Sequence, residues 1–385
     1  MTPASEQASA KSPEHIFETL NAYNQTAALK AAIELDVFTA IGEGAITSAA
    51  LAKRCQAAER GVRILCDYLV VHNFLTKNGD NYGLASDSAA FLDKRSPAYI
   101  GAAAGFIASP ELIERSKELT AAVRNGASPR GDQATADPNN PIWVEFARSM
   151  TGLQTLAAQG VAELLGAKSG DKWKVLDIAA GHGMYGITIA KQNPNAEIYA
   201  LDWPAVLKVA RENATSAGVS NRVHELPGSV FDVDFGKDYD IVLLTGFLHH
   251  FDAQAIDTLL RKVHSALKPG GRAITVEFVP NGDRVSPPAA AGFSLIMLST
   301  TRAGEAYTFS EYDGMFRKAG FAASEIHKTS GPQSIIVSKE VVSSRVGVQL
   351  ASFRAVRRTP SSAKCAAPFH ELCANLWPGW HWLNV

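Results

Sequence analysis

The 385-residue sequence predicts an α/β domain on a mainly parallel sheet, preceded by a mostly helical winged-helix domain. Apolar residues over positions 16–92 recur at spacings of three and four, the period of a half-buried helix. A hairpin signal, Asn78-Gly79-Asp80, closes that region. From Trp173 onward, short apolar runs alternate with helical segments, the pattern of parallel strands joined by crossover helices.

In chain order, "AALKAAIELDVFTAI" places Leu29, Ala32, Ile33, Val37 and Ile41 on one helix face. "TSAALAKRC" opens with Thr47 or Ser48 as N-cap, and "AERGVRILCDYLVVHNFL" carries Val62, Leu65, Leu69 and Val70 on one apolar side. Helix-turn-helix followed by the hairpin "FLTKNGDNYGLA" is a winged helix. Its second helix offers Arg60 and Arg63 against Glu59 and Asp67, too little positive charge to neutralise several phosphates. The expected role of these apolar faces is therefore packing on a second subunit. Residues 96–159 read as further helices, interrupted by the loop "NGASPRGDQATADPNNP".

The strands of the second half are "KVLDIA", "EIYALD", "RVHELP", "YDIVLLT", "RAITVEFV" and "SIIVSK", nearly all apolar, as strands covered on both faces should be. After the first comes "GHGMYG", residues 181–186, which fits G-x-G-x-x-G. That spacing serves any nucleotide approaching a strand-to-helix turn, so an NAD-dependent reductase is one reading. The first strand ends in an acid, Asp177, which repels a pyrophosphate but welcomes a cationic amino-acid group. Asp202, at the end of the second strand, stands where nucleotide-binding α/β folds hold ribose hydroxyls.

The bulk numbers narrow the partners. A net charge of -1 and 46% hydrophobic residues describe an ordinary globular chain with no electrostatic pull toward nucleic acid or an anionic membrane. Cys55, Cys66, Cys365 and Cys373 form no C-x-x-C pair and no metal-ligand spacing, so neither a disulfide framework nor a metal site is expected. The polar start "MTPASEQASAKSPEH" lacks an apolar export region, and no apolar run is long enough to span a bilayer, which predicts a cytoplasmic protein.

"VLDIAAGHG" resembles the first motif of class I methyltransferases, which bind S-adenosylmethionine, with Ala179 and Ala180 where that family often has glycine. "LKPGG", leading into a strand that ends in Glu277, resembles the same family and has no counterpart in the usual dehydrogenase plan. The resemblance runs from about residue 15 to 340. It is closest to small-molecule O-methyltransferases with an N-terminal winged-helix dimerisation domain. It implies a Rossmann-like, mainly parallel seven-stranded sheet and four regions: a dimerisation domain at 15–100, connecting helices at 101–165 that contribute to the substrate pocket, the methyltransferase domain at 166–340 and an irregular tail at 341–385.

The resemblance also implies roles. S-adenosylmethionine would be held by Asp177, Ala179, Gly181, Gly183, Asp202, Trp203, Ser229, Val230 and Thr245, where Ser229 replaces a common acid. In "FLHHFD" the family's general base matches His249, with His250 where relatives usually have an acid; Glu277 and Glu305 match two carboxylates that flank the base. Trp143, Phe146 and Met150 share one helix stripe, and Phe293, Ile296 and Met297 another; such stripes serve either as plain core or as the wall of a pocket for a flat aromatic acceptor. The expected enzyme is a homodimer transferring methyl to a hydroxyl of a small molecule. Transfer to nitrogen or carbon, a non-methylating use of the cofactor, and a DNA-binding regulator stand as alternatives.

Overall fold

The computed structural model describes residues 12–131, 140–329 and 331–340. The expected tail at 341–385 lies outside them, as does most of the loop before Asn140. Helix α1 (Glu14–Glu34) leads into α2 (Val37–Gly42), α3 (Ser48–Arg54) and α4 (Glu59–Val71), then the hairpin of β1 (Leu75–Asn78) and β2 (Asn81–Leu84), and α5 (Ser86–Phe91). Thr47 is the N-cap of α3, its hydroxyl accepting the Ala50 N–H. Gly79 takes the turn at φ 57°, a conformation that costs glycine nothing. Val37, Phe38, Leu51, Val62, Leu69 and Tyr82 form this domain's own core. The first turns of α1 instead expose Ile16, Phe17, Leu20 and Tyr23 by 60–69%, a run of large apolar side chains with no cover in the single chain.

Among the described residues, the α-helices that connect the halves are α6 (Ala104–Ile107), α7 (Pro110–Lys117), α8 (Leu119–Asn125) and the 24-residue α9 (Ile142–Leu165). The second half runs β3 (Trp173–Ile178), α10 (Met184–Gln192), β4 (Ala196–Asp202), α11 (Pro204–Ser216), β5 (Val223–Pro227), β6 (Tyr239–Thr245), α12 (Ala253–Ala266), β7 (Leu267–Glu277), α13 (Pro288–Thr300), α14 (Phe309–Lys318), β8 (Phe321–Lys328) and β9 (Ser334–Glu340). Among the described residues the sheet has seven strands in the order β5-β4-β3-β6-β7-β9-β8. The first five are parallel, and β9 pairs antiparallel with both β7 and β8.

Two findings differ from the six strands read in the sequence. Strand β8 escaped because most of its side chains are exposed at the sheet edge, which leaves no apolar run to recognise. Strand β7 begins at Leu267, so that "LKPGG" belongs to it, and ends at Glu277 rather than Val279. Both faces of the sheet are buried: Leu176, Ile178, Val242 and Leu244 pack under α12 and α14, and Val175, Ile198, Ile241 and Ile274 under α9 and α10. Each such side chain contributes about 1.5–3 kcal/mol. This is the rigid plate on whose carboxyl edge the predicted residues stand. No helix among the described residues is long and apolar enough to cross a membrane.

Candidate active site

The turn from β3 into α10 is built from left-handed residues: Ala179 at φ 52°, Gly181 at 57° and Gly183 at 73°. A Cβ at Gly186, the last glycine of the motif, would lie 2.5 Å from Ile198 Cγ2, so this glycine lets α10 approach β4. The two acids hold the turn. Asp202 Oδ2 accepts the Gly181 N–H at 2.8 Å and Oδ1 the Trp203 N–H at 2.7 Å, while Asp177 Oδ2 accepts the Gly186 N–H at 3.2 Å. Asp177 is 1% exposed, and its Oδ1 is buried with no hydrogen-bond partner. Burial pushes its carboxyl up to about 7 and that of Asp202 up to about 6.

This half of the site fits a cofactor bearing an ammonium and a ribose. An orphaned buried carboxylate oxygen wants a cationic or hydrogen-bonding partner, and each oxygen of Asp202 retains a lone pair beside its backbone bond. Trp203 caps α11 and packs with Trp143, Val206 and Val209. Ser229 turns its Oγ to accept the Phe231 N–H at 3.2 Å, and Val230 is buried in the core below. Thr245 is the last residue of β6.

The other half stands on β6 and β7. His249 and Glu277 are 28 positions apart, yet His249 Nδ1 lies 2.5 Å from Glu277 Oε2. The other carboxylate oxygen, Oε1, accepts the Phe247 and Leu248 N–H groups, each at 2.9 Å. Glu277 is fully buried, and these bonds are what makes a carboxylate tolerable there. With Nδ1–H donated to Glu277, Nε2 is the basic nitrogen of the His249 ring. His250 lacks such an anchor: its Nδ1 is buried without a partner, and burial together with the neighbouring His249 holds it well below the usual imidazole range.

Aromatic rings surround the pair. Phe293 sets its edge to His249 at 4.8 Å between centroids and stacks on Phe278 at 4.1 Å. Trp143 meets His250 edge-on at 5.6 Å, so it bridges the two halves instead of facing only one. Phe146 leans toward the glycine turn: a Cβ at Gly181 would lie 3.6 Å from its ring. Met150 and Met297 are buried on the inner faces of α9 and α13, whereas Ile296 is 47% exposed and lines nothing inside.

Glu305 departs from expectation. Its carboxylate faces outward and bonds Arg284 Nη1 at 2.5 Å, and the residue that turns inward beside it is Ala306, fully buried. The sequence also gave no weight to Phe278, Phe106 or His182. Phe106 meets Phe146 edge-on at 5.0 Å and has no sequence signal that would have found it. Phe278 follows Glu277 directly and was within reach of a strand-end reading. His182, inside the glycine motif, is buried, accepts the Met184 N–H on Nδ1 at 3.1 Å and is pushed down to about 4 by burial, so it is neutral.

Comparison with known proteins finds two family matches on separate segments of the chain. Residues 17–94 match the O-methyltransferase dimerisation domain and residues 133–322 the O-methyltransferase domain. A solved protein of Nostoc punctiforme, described as a candidate O-methyltransferase, is 48% identical with a TM-score of 0.82, covering 86% of this chain and 100% of that one. The tetracenomycin polyketide synthesis 8-O-methyl transferase TcmO of Streptomyces glaucescens is 26% identical over 338 residues, 86% of this chain and 97% of that protein. PigF of Serratia, an S-adenosyl-L-methionine-dependent methyl transferase solved with S-adenosylhomocysteine, is 26% identical in structure comparison, with a TM-score of 0.73 over 86% of this chain and 100% of that one. The chain belongs to the S-adenosylmethionine-dependent O-methyltransferases of small molecules that carry an N-terminal dimerisation domain.

Proposed function

We propose that the enzyme methylates a hydroxyl of a small aromatic molecule with His249 as general base, and that it works as a homodimer through α1 and its neighbours. The bond between His249 Nδ1 and the buried Glu277 carries the reading, because it leaves Nε2 basic and fixes the ring plane. S-adenosylmethionine, when bound, supplies an electrophilic methyl on a sulfonium. Asp177 and Asp202 would hold its ammonium and ribose, Gly181 and Gly183 let its main body approach the turn, and Trp203, Ser229, Val230 and Thr245 border the adenine end.

A neutral hydroxyl is a poor nucleophile, and His249 Nε2 takes its proton as the oxygen–methyl bond forms and the sulfur–methyl bond breaks. The imidazolium so formed faces the Glu277 carboxylate, which stabilises it as the Asp of a Ser-His-Asp triad stabilises its histidine. Phe293, with Phe278 behind it, offers an aromatic wall beside the base; Phe146, Met150 and Met297 complete an apolar site that excludes water and aligns oxygen, methyl and sulfur. The exposed apolar side chains of α1, from Ile16 to Tyr23, support the dimer.

The test is incubation of the protein with S-adenosylmethionine and a panel of phenols, following S-adenosylhomocysteine and locating the new methyl by mass spectrometry and NMR. Methyl on a phenolic oxygen is expected. Methyl found on carbon or nitrogen, or cofactor binding with no transfer to any hydroxyl, would overturn the reading.

A further inference from the structure

Arg284 joins two arms of chain that leave and re-enter the site. The outgoing arm departs from Glu277 through Phe278 and residues 281–286 into α13; the returning arm, residues 301–308, comes back to α14. Arg284 Nη1 bonds Glu305 Oε1 on the returning arm, and Nη2 bonds Glu311 Oε1 in α14, each at 2.5 Å. Glu311 is itself fixed, its other oxygen accepting the Thr308 N–H and hydroxyl at 2.8 Å in a capping box. Residues 281–286 are shaped to present Arg284, with Asn281 N–H donating to the Ser286 carbonyl at 2.7 Å and Asp283 accepting the Val285 and Ser286 N–H groups.

The returning arm rests on the base. A Cβ at Gly304 would lie 2.3 Å from the His249 carbonyl oxygen, so the arm touches the peptide that carries the imidazole. Tyr307 Oη donates to the Phe251 carbonyl at 2.8 Å, and the Ala306 N–H donates to Ser294 Oγ on α13. Removing Arg284 leaves two carboxylates facing each other with no cation between them, which drives the arms apart.

We infer that Arg284 is a positioning residue: by clasping Glu305 and Glu311 it holds α13 and the 301–308 arm against His249, and Glu305 serves this clasp rather than the imidazole. The inference rests on the proposed base. It makes Arg284 and Glu305 act as one unit on acceptor binding while leaving the cofactor half untouched.

The experiment is a double-mutant cycle of Arg284→Gln and Glu305→Gln, with Arg284→Lys beside it, each protein loaded with S-adenosylhomocysteine for amide hydrogen exchange and assayed for methyl transfer. Exchange at 301–308 should quicken in Arg284→Gln and Glu305→Gln, and the double variant should be no faster than Arg284→Gln. The acceptor KM should rise about three- to tenfold in Arg284→Gln, with S-adenosylhomocysteine affinity and the position of the kcat/KM pH profile unchanged. Arg284→Lys, able to reach one carboxylate, should recover part of the loss. Unchanged exchange, additive effects, or a displaced pH profile in Glu305→Gln alone would each overturn the clasp. Should no hydroxyl accept methyl, the proposed reaction fails and hydrogen exchange still decides the clasp.

Discussion

The cofactor half and the base half of the site lie on one sheet edge and are built by opposite means. The cofactor half is contiguous: Asp177, Ala179, Gly181 and Gly183 occupy seven positions, and Asp202 ends the next strand. It is built from two carboxylates, the backbone N–H groups they accept and bare glycine, so its shape is written in a short string. The base half gathers His249, Glu277, Phe293 and Ala306 from four segments, and only the three-dimensional fold brings them together. A contiguous half tolerates little substitution of backbone shape, whereas a gathered half depends on each bond between segments. The following predictions separate the two.

The largest effect belongs to the gathered half. His249→Ala should lower methyl transfer by about 10²–10⁴-fold, the usual contribution of general base catalysis, while leaving S-adenosylhomocysteine affinity within a factor of about two. His250→Ala should cost less than about tenfold, because no carboxylate holds that ring and it stays neutral through the working range. Steady-state kinetics and calorimetric titration of both variants decide the matter. A larger loss from His250→Ala would move the base by one residue and detach it from Glu277.

The same contrast explains what the sequence disclosed. Strands β3, β4, β6, β7 and β9 were legible because burial on both faces leaves a nearly unbroken apolar run; of the two edge strands, β5 was also read, from its place between a helix and a turn, while β8, with most side chains exposed, was not. Asp177 and Asp202 were legible as acids at strand ends. The pairing of His249 with Glu277 came only through resemblance, since nothing in a spacing of 28 residues dictates a contact. Glu305 came by the same route, and its carboxylate bonds Arg284 while the neighbouring Ala306 is the buried residue, a difference that no spacing in the sequence discloses. Phe106 and Arg284 carried no local signal, because their partners are set by how α6 and the 281–286 turn dock.

In the contiguous half the expected effect is intermediate and depends on pH. A carboxyl near 3.9 in the unfolded chain, raised to about 7 at Asp177 and about 6 at Asp202, makes the folded protein bind extra protons between these values. The resulting stability is fully present below about 4 and is lost as pH rises through 6 and 7. A ligand ammonium favours the ionised acids, so its binding follows the opposite trend. The rise in Tm produced by S-adenosylhomocysteine should therefore grow from pH 5 to pH 8. Asp202→Asn should weaken binding about 10- to 100-fold and flatten that growth, since it removes a charge-assisted acceptor. A Tm increment independent of pH in the unaltered protein would show that neither acid titrates against the ligand.

The smallest effect tests whether the glycine turn stores strain. Ala179 sits at φ 52°, where a residue with a Cβ costs about 1–3 kcal/mol. Glycine relieves this but returns about 0.4–1 kcal/mol of entropy to the unfolded chain. It also removes a methyl worth up to about 0.8 kcal/mol that packs against the core beneath β3. At their midpoints these opposing amounts leave Ala179→Gly more stable by about 1 kcal/mol, read as a higher urea midpoint at unchanged slope. A lower midpoint would mean that the methyl packing outweighs the strain, and that alanine at this turn is held by the core rather than merely tolerated by the fold. Either sign should leave His249 kinetics alone, because the strain is local to the contiguous half.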